Sequence, residues 1–238
     1  FALLYRALVR RKVRAASRDE EARLYLIVLA VMSLLLTLEL WHKGLHEGEA
    51  AVRQATFQVV SMMTTTGYAT TDFVVWPAFA LMILVGVMLV GGSAGSTGGA
   101  IKVVRHLLLG KVLRRELRQT LHPEVVMPIR LNGAVVDERT LRAITAFILL
   151  YVGLFAVGAG LIALDSTFHG PSLSAFDAIA VAATTLGNVG PGLGFAGPMG
   201  SFEPFSDFST IVMIALMWLG RLESLPVVVL LTRSYWRV

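Results

Sequence analysis

Apolar residues fall in blocks along the chain rather than at amphipathic spacing, and long blocks alternate with short ones. Residues 24–40 are apolar except for Glu39 near the end. At about 1.5 Å rise per residue that block just crosses a hydrocarbon core of roughly 30 Å. Residues 50–63 form a second apolar segment, too short to cross. Residues 73–90 are long enough to span and run into GGSAGSTGGA at 91–100, where five of ten residues are glycine. Glycine costs about 1 kcal/mol relative to alanine inside a helix, so this run predicts a break. A basic, helix-prone stretch comes next, with Lys102, Arg105, Lys111, Arg114, Arg115 and Arg118. Residues 119–140 read as a surface connector, marked by Pro123, Pro128, Asn132-Gly133 and Asp137-Glu138. Residues 143–164 span again, and a polar patch around Asp165–Pro171 leads to a second short segment, 173–185. A Gly/Pro-rich run, GNVGPGLGFAGPMG, covers 187–200, and a last apolar segment, 208–232, is interrupted by Arg221 and Glu223.

The order long block, short block, glycine-bearing polar turn, long block therefore occurs twice, which is the mark of an internal repeat. Laying the halves together pairs Thr64-Thr65-Thr66-Gly67-Tyr68 with Thr184-Thr185-Leu186-Gly187-Asn188. A short helix that dips into a bilayer and turns back leaves main-chain carbonyls without partners. That is tolerated only where they line water or bind something. Thr and Gly permit an extended backbone with inward carbonyls, and Gly67 can take conformations other residues avoid. Rings of such carbonyls replace the hydration shell of a monovalent cation, and the carboxyl end of the preceding half-helix favours positive charge. A single copy would equally suit a glycine-capped interfacial helix. Two copies, each between long blocks and on one side, favour re-entrant pore helices.

Composition agrees with this. Of 238 residues, 55% are hydrophobic and 16% charged, with mean hydropathy +0.70, against about 45–50% and about 25% in soluble domains. Such apolar content excludes disorder for the bulk of the chain. The absence of cysteine excludes a disulfide scaffold, a Cys-ligated zinc site and a Cys nucleophile. His42, His46, His106, His122 and His169 show no metal-ligand spacing, and no nucleophile–base set, P-loop or dinucleotide fingerprint is present. Phe1 begins inside an apolar stretch that runs into a basic cluster, the expectation for a piece of a longer protein.

Charge sets the orientation. With four spans, residues 1–23, the 102–142 region and the carboxyl terminus share one side and hold 18 of the 21 Lys and Arg. The opposite side has Lys43 and Arg53, and Arg221 is left within the last span. This bias puts both ends of the chain in the cytoplasm. It also removes nucleic acid as a partner of the basic clusters, which adjoin spans where anionic lipid is the nearer counter-charge.

The segments TTTGYATTDF (64–73), GGSAGSTGGAIKV (91–103), HPEVVMPIRLNG (122–133), GNVGPGLG (187–194) and GRLESLPVVVLLTRSYWR (220–237) together resemble the TrkH-type potassium uptake proteins of the Trk/Ktr/HKT superfamily. The resemblance implies an all-α integral membrane fold of four membrane–pore–membrane repeats around a pseudo-fourfold pore. This chain supplies two of them, with four spanning helices and two re-entrant pore helices with filter loops. Residues 1–23 would be the cytoplasmic end of the preceding repeat and a linker, 24–118 the third repeat, 119–140 a cytoplasmic connector and 141–238 the fourth repeat. The implied activity is potassium uptake across the bacterial inner membrane by a non-enzyme, with K+ as cargo and no organic cofactor. The implied partners are a second copy of the membrane subunit and a cytoplasmic nucleotide-binding regulatory subunit. Filter positions carry over to Thr65, Thr66, Gly67 and Tyr68, and to Thr185, Leu186, Gly187 and Asn188. The gate carries over to the glycine-rich break, here Gly91, Gly92, Ser93, Gly95, Ser96, Thr97, Gly98 and Gly99, faced by Arg221. Neither copy matches a strict Thr-Val-Gly-Tyr-Gly filter, so selectivity is expected to be looser than in a potassium channel.

Several residues carry two readings. Arg221 costs about 2.5–3.5 kcal/mol at mid-membrane and is functional by default, or else a structural arginine tied to Glu223 or to loop carbonyls. The glycine run is a flexible plug, or close helix packing by small residues. Lys102 ends the break, or reaches toward the pore. Asp177 caps the second short helix, or with Asp72, Glu203 and Asp207 concentrates cations at the mouth. A sodium- or proton-coupled secondary transporter with broken helices is the alternative function; it needs an ionisable relay in the spans.

Overall fold

A computed structural model describes residues 19–96, 98–169 and 172–222. The expected roles of Thr97 and Glu223, and the continuation of the last apolar segment, lie outside the described residues.

Helix α1, Glu20–His42, opens on Asp19, whose carboxylate accepts the Ala22 N–H at 2.8 Å. Glu20 and Glu21 add negative charge at its positive end. Helix α2, Gly48–Met63, folds back against α1. The next apolar block departs from expectation. Phe73–Val75 makes one 3-10 turn capped by Asp72, and Trp76 and Pro77 are extended. Proline lacks an N–H and disfavours helix in the residue before it, so helix α3 occupies only Ala78–Leu89. Its 12 residues rise about 18 Å, short of a full crossing. The glycine-rich loop comes next, then helix α4, Val103–Leu121.

The connector folds into a small antiparallel hairpin, β1 Arg130–Leu131 and β2 Ala134–Val135. Its turn is Asn132-Gly133, both at positive φ (51° and 86°), as a tight two-residue hairpin requires. Helix α5, Glu138–Phe168, starts on an Asp137 cap. Helix α6, Ala175–Gly187, starts on a capping box in which Ser174 and Asp177 bond reciprocally, so Asp177 is a cap. Helix α7, Asp207–Arg221, starts on Ser206.

Two packed groups result. Leu36, Leu40, Val59, Met62, Leu84 and Met88 join α1, α2 and α3. Ile162, Val181, Leu186, Met213 and Leu216 join α5, α6 and α7. The groups meet where α3 lies on α6, and a small cluster of Leu108, Ile129 and Leu141 seats the connector on α4 and α5. Outside this core the chain shows wide apolar faces, including Leu26, Leu34 and Leu38 on α1 and Leu149, Val157 and Leu164 on α5. Apolar surface on this scale marks contact with lipid or with further protein. Among the described residues, α1 and α5 are long and apolar enough to cross a membrane. The second expected span, 73–90, is shortened by Pro77.

Candidate functional site

Helices α2 and α6 end in the same neighbourhood, and the strand that leaves each end is built alike. Past α2, φ is negative at Thr64 (−82°), +55° at Thr65, not positive at Thr66, +78° at Gly67 and not positive at Tyr68. Past α6 the sign alternates in the same way, with +53° at Asn188 and +123° at Gly190. A β-branched residue at positive φ, such as Thr65, is a genuine backbone outlier. Alternating hand at successive residues gathers the N–H groups on one side of the strand and turns the carbonyls to the other.

The N–H side is satisfied by each strand's own helix. Thr66 and Gly67 donate to the Ser61 carbonyl at 2.9 and 3.4 Å. Val189 donates to the Thr184 carbonyl at 2.9 Å and Gly190 to the Thr184 hydroxyl at 3.0 Å. Among the described residues, no hydrogen-bond donor reaches the carbonyls of Thr65, Thr66 and Gly67, or those of Asn188, Val189 and Gly190. Two rows of bare peptide oxygens therefore stand at the negative ends of two helices, an arrangement suited to a cation.

This geometry shifts the register of the second copy. Ser61 and Thr184 are structural counterparts, and so are Gly67 and Gly190. The pairing read along the sequence matched Gly67 with Gly187, three residues earlier. Thr185, Leu186 and Gly187 instead form the last turn of α6, with Thr185 Oγ1 bonded to the Val181 carbonyl at 2.8 Å; Asn188 is the left-handed residue that ends the helix. The missed residues are Val189 and Gly190. Their signal was the second glycine of Gly187-Asn188-Val189-Gly190, with Pro191 directly after it.

The two strands touch. A Cβ built on Gly67 would stand 3.2 Å from Pro191 Cδ and closer still to the Val189 oxygen, and one on Gly190 would stand 3.9 Å from Gly67 Cα. Ser61 Oγ donates to the Tyr68 carbonyl at 2.6 Å, and the Tyr68 ring is exposed. Behind the first strand, fully buried Gln58 donates to Thr70 Oγ1 at 3.3 Å.

The glycine-rich loop lies directly against this assembly. It is pinched at its neck by a parallel bridge between Val90 and Ile101, by the Gly91 N–H on the Ile101 carbonyl (2.9 Å) and by the Val103 N–H on the Gly92 carbonyl (3.2 Å). At its outer turn the Ser96 N–H bonds the Ser93 carbonyl at 3.0 Å, and Gly95 sits at φ +79°. A Cβ on Gly98 would lie 2.7 Å from Thr65 Oγ1, and one on Gly99 would lie 2.7 Å from the Gly187 carbonyl carbon. Lys102 both precedes α4 and folds back, its ammonium bonding the Ser96 carbonyl at 2.9 Å and the Gly98 carbonyl. Arg221, at the end of α7, shares a cavity of about 250 Å³ with Ser96, Gly98 and Lys102. Gly220 beside it packs on the Leu186 carbonyl. Thus Thr65 through Tyr68, Asn188, the loop, Lys102 and Arg221 are gathered in one region.

The family described as TrkH, cation transport protein, matches residues 1–237. The chain is 36% identical over 238 residues to the Trk system potassium uptake protein TrkH of Salmonella typhimurium, covering all of this chain and 48% of that one. It is 31% identical over 237 residues to TrkG of Escherichia coli K12, with 100% and 47% coverage. The crystal structure of the potassium transporter TrkH from Vibrio parahaemolyticus superposes with a TM-score of 0.86 at 34% identity, over 100% of this chain and 50% of that one. The chain spans about half the length of the curated relatives it matches.

Proposed function

Because the chain belongs to the TrkH family of cation transport proteins, we propose that it forms half of a potassium-uptake pore in the bacterial inner membrane. The reading takes residues 24–118 and 141–238 as two membrane–pore–membrane repeats, with α2 and α6 as the re-entrant helices and 119–140 as a cytoplasmic connector. The observation that carries it is the pair of strands with φ alternating in sign and with carbonyls to which no described residue donates, each at the carboxyl end of a short helix. A potassium ion entering from outside exchanges water for these oxygens. Thr65, Thr66 and Gly67 supply one quarter of the filter, closed by Tyr68, whose carbonyl is held by Ser61, and Asn188, Val189 and Gly190 supply another. The remaining two quarters come from two further repeats outside this chain.

Beneath the filter, the loop from Gly91 to Gly99 blocks the path in its seated position. The side chain of Arg221 adds positive charge to the same cavity, which repels a cation until the loop moves. The wide apolar faces support a membrane setting with further protein around this half. A second copy of the subunit and a cytoplasmic nucleotide-binding regulator complete the reading, and K+ is cargo rather than cofactor. A proton- or sodium-coupled mechanism is less well supported. Among the described residues the buried carboxylates Asp19, Glu21 and Asp165 sit at helix ends, bonded to main chain, to the Asn132 amide or to hydroxyls, and the pairing of Asp165 with His169 at 3.4 Å lies at the exposed end of α5 rather than along a span.

The test is ion flux in liposomes by the complete four-repeat protein that contains this chain. Gly67→Ala and Gly190→Ala each introduce a Cβ at positive φ and are expected to cut K+ uptake at least tenfold or to erase K+ over Na+ preference. Arg221→Ala is expected to raise flux. Unchanged uptake and ion preference in both glycine variants would overturn the reading.

A further inference from the structure

The glycine-rich loop is held from below by a residue that no pore argument selects. The Ala94 N–H, at the loop's outer turn, donates to the carboxylate of Glu21, in the first turn of α1 and 73 positions away in the chain. Glu21 is buried, at 7% exposure. Capping does not need it, because Asp19 already accepts the Ala22 N–H at the start of α1. A buried carboxylate on a main-chain N–H is a charge-assisted bond, the stronger kind.

The two residues before Glu21 are gripped from the other side by the connector. Asn132, at the tip of the β1–β2 hairpin, donates from Nδ2 to Asp19 Oδ2 at 2.7 Å and accepts the Glu20 N–H on Oδ1 at 2.9 Å. Lys111 on α4 bonds both the Glu20 carboxylate and the Arg130 carbonyl, the latter at 2.6 Å. The left-handed backbone at Asn132 and Gly133 fixes the turn that presents this amide. Three consecutive acidic residues therefore join two segments: Asp19 and Glu20 hold the hairpin, and Glu21 holds the loop.

We infer that Glu21 is the positioning residue of the glycine-rich loop, and that the connector hairpin sets the loop's position through it. The loop is seated when the hairpin grips Asp19 and Glu20. Movement of the hairpin shifts the first turn of α1 and withdraws the acceptor from Ala94. A load applied to the connector thus reaches the ion path in two hydrogen-bonded steps. The inference rests on the gate assigned under Proposed function.

The experiment measures resting K+ flux in liposomes by the complete four-repeat protein that contains this chain. Glu21→Ala removes the acceptor and should raise resting flux about tenfold, the equivalent of one charge-assisted hydrogen bond. Glu21→Gln keeps an acceptor oxygen and should restore most of the closure, which a bulk folding defect would not do. Asn132→Ala should raise flux as well, and the double variant Glu21→Ala/Asn132→Ala should rise no further, because the two act in series. Gly99→Ala, which unseats the loop directly, tests the gate itself. If Gly99→Ala raises flux and Glu21→Ala does not, the inference fails and the gate stands. If none raises flux, the gate reading fails with it. Multiplying effects of Glu21→Ala and Asn132→Ala would refute the series connection. Should Glu21→Ala be lost from the membrane, the pair Glu21→Cys and Ala94→Cys, introduced into a protein freed of other cysteines (this half has none) and bridged by a short bis-maleimide, should lower flux below wild type; unchanged flux after bridging overturns the inference.

Discussion

Gly99→Ala isolates the contact between the loop and the end of α6. Gly99 does not have a positive φ, so alanine brings no backbone strain there, only a methyl group. That methyl would lie 2.7 Å from the Gly187 carbonyl carbon and 3.1 Å from Asn188 Cβ. Carbon pairs settle at about 3.5–4.0 Å, so the loop must withdraw by roughly 1 Å. The opposing atoms are main chain at the end of a packed helix and cannot swing aside as a side chain could. Inserting a methyl into such a contact costs typically about 1–3 kcal/mol, which moves a two-state equilibrium by about 5–150-fold. If the seated loop is the closed state, that cost falls on the closed state alone. Resting Rb+ or K+ efflux from liposomes loaded with the full protein should then rise by a factor in that range. Gly110→Ala is the matched control, since a Cβ there meets nothing within 4 Å on α4. Equal flux from wild type, Gly99→Ala and Gly110→Ala, with equal thermal stability, would refute the assignment of the loop as a gate.

Other consequences stem from the anchoring of the strands and from the helix ends. Thr184→Val removes the hydroxyl that accepts the Gly190 N–H inside a buried site; the stranded donor should cost about 1–3 kcal/mol and lower K+ over Na+ preference, while Thr184→Ser keeps both. Reversal potentials in mixed K+ and Na+ solutions measure this, and an unaltered preference in Thr184→Val would sink the anchoring argument. Asp165 accepts from the hydroxyls of Ser206 and Ser209 and so ties the end of α5 to the start of α7. Asp165→Ala should lower the unfolding temperature in detergent, Asp165→Asn less so, and ion preference should not move in either.

The alternation of long and short apolar blocks was enough to read the order of elements, because burial in lipid demands continuous apolar runs and the charge bias marks their ends. It misjudged two places for local reasons. The 73–90 block looked continuous because Trp76 and Pro77 are compatible with an apolar span, yet proline disfavours helix in the residue before it, both residues are extended and the helix begins at Ala78. The second strand was misregistered because Thr184-Thr185 with a glycine close behind mimics the first copy. Which threonine leaves the helix is decided by a tertiary and stereochemical matter, namely where a left-handed residue is tolerated. In the first copy Thr65 accepts that strain one residue past the cap; in the second, asparagine, a residue suited to the left-handed region, takes it at Asn188. The tie between Glu21 and Ala94 was invisible for a simpler reason: acidic residues in a first turn are already explained by the helix dipole, and nothing in the sequence couples them to a loop 73 positions away.

The strain at Thr65 bears on why the two halves of the site must be built together. A threonine at φ +55° persists only where the surroundings over-determine it. Here the strand is held on three sides: by the Ser61 carbonyl on the Thr66 and Gly67 N–H groups, by Val189 and Pro191 of the other repeat against Gly67, and by Gly98 of the loop against the Thr65 side chain. The last of these contacts belongs to the segment assigned as the gate. Withdrawal of the loop therefore removes one of the supports that keep Thr65 in its strained conformation. On the proposed reading, opening the path below the filter and relaxing the filter's innermost residue are one event. The close approach of Gly98 to Thr65 Oγ1 is the contact through which, on that reading, ion preference and gate position become linked.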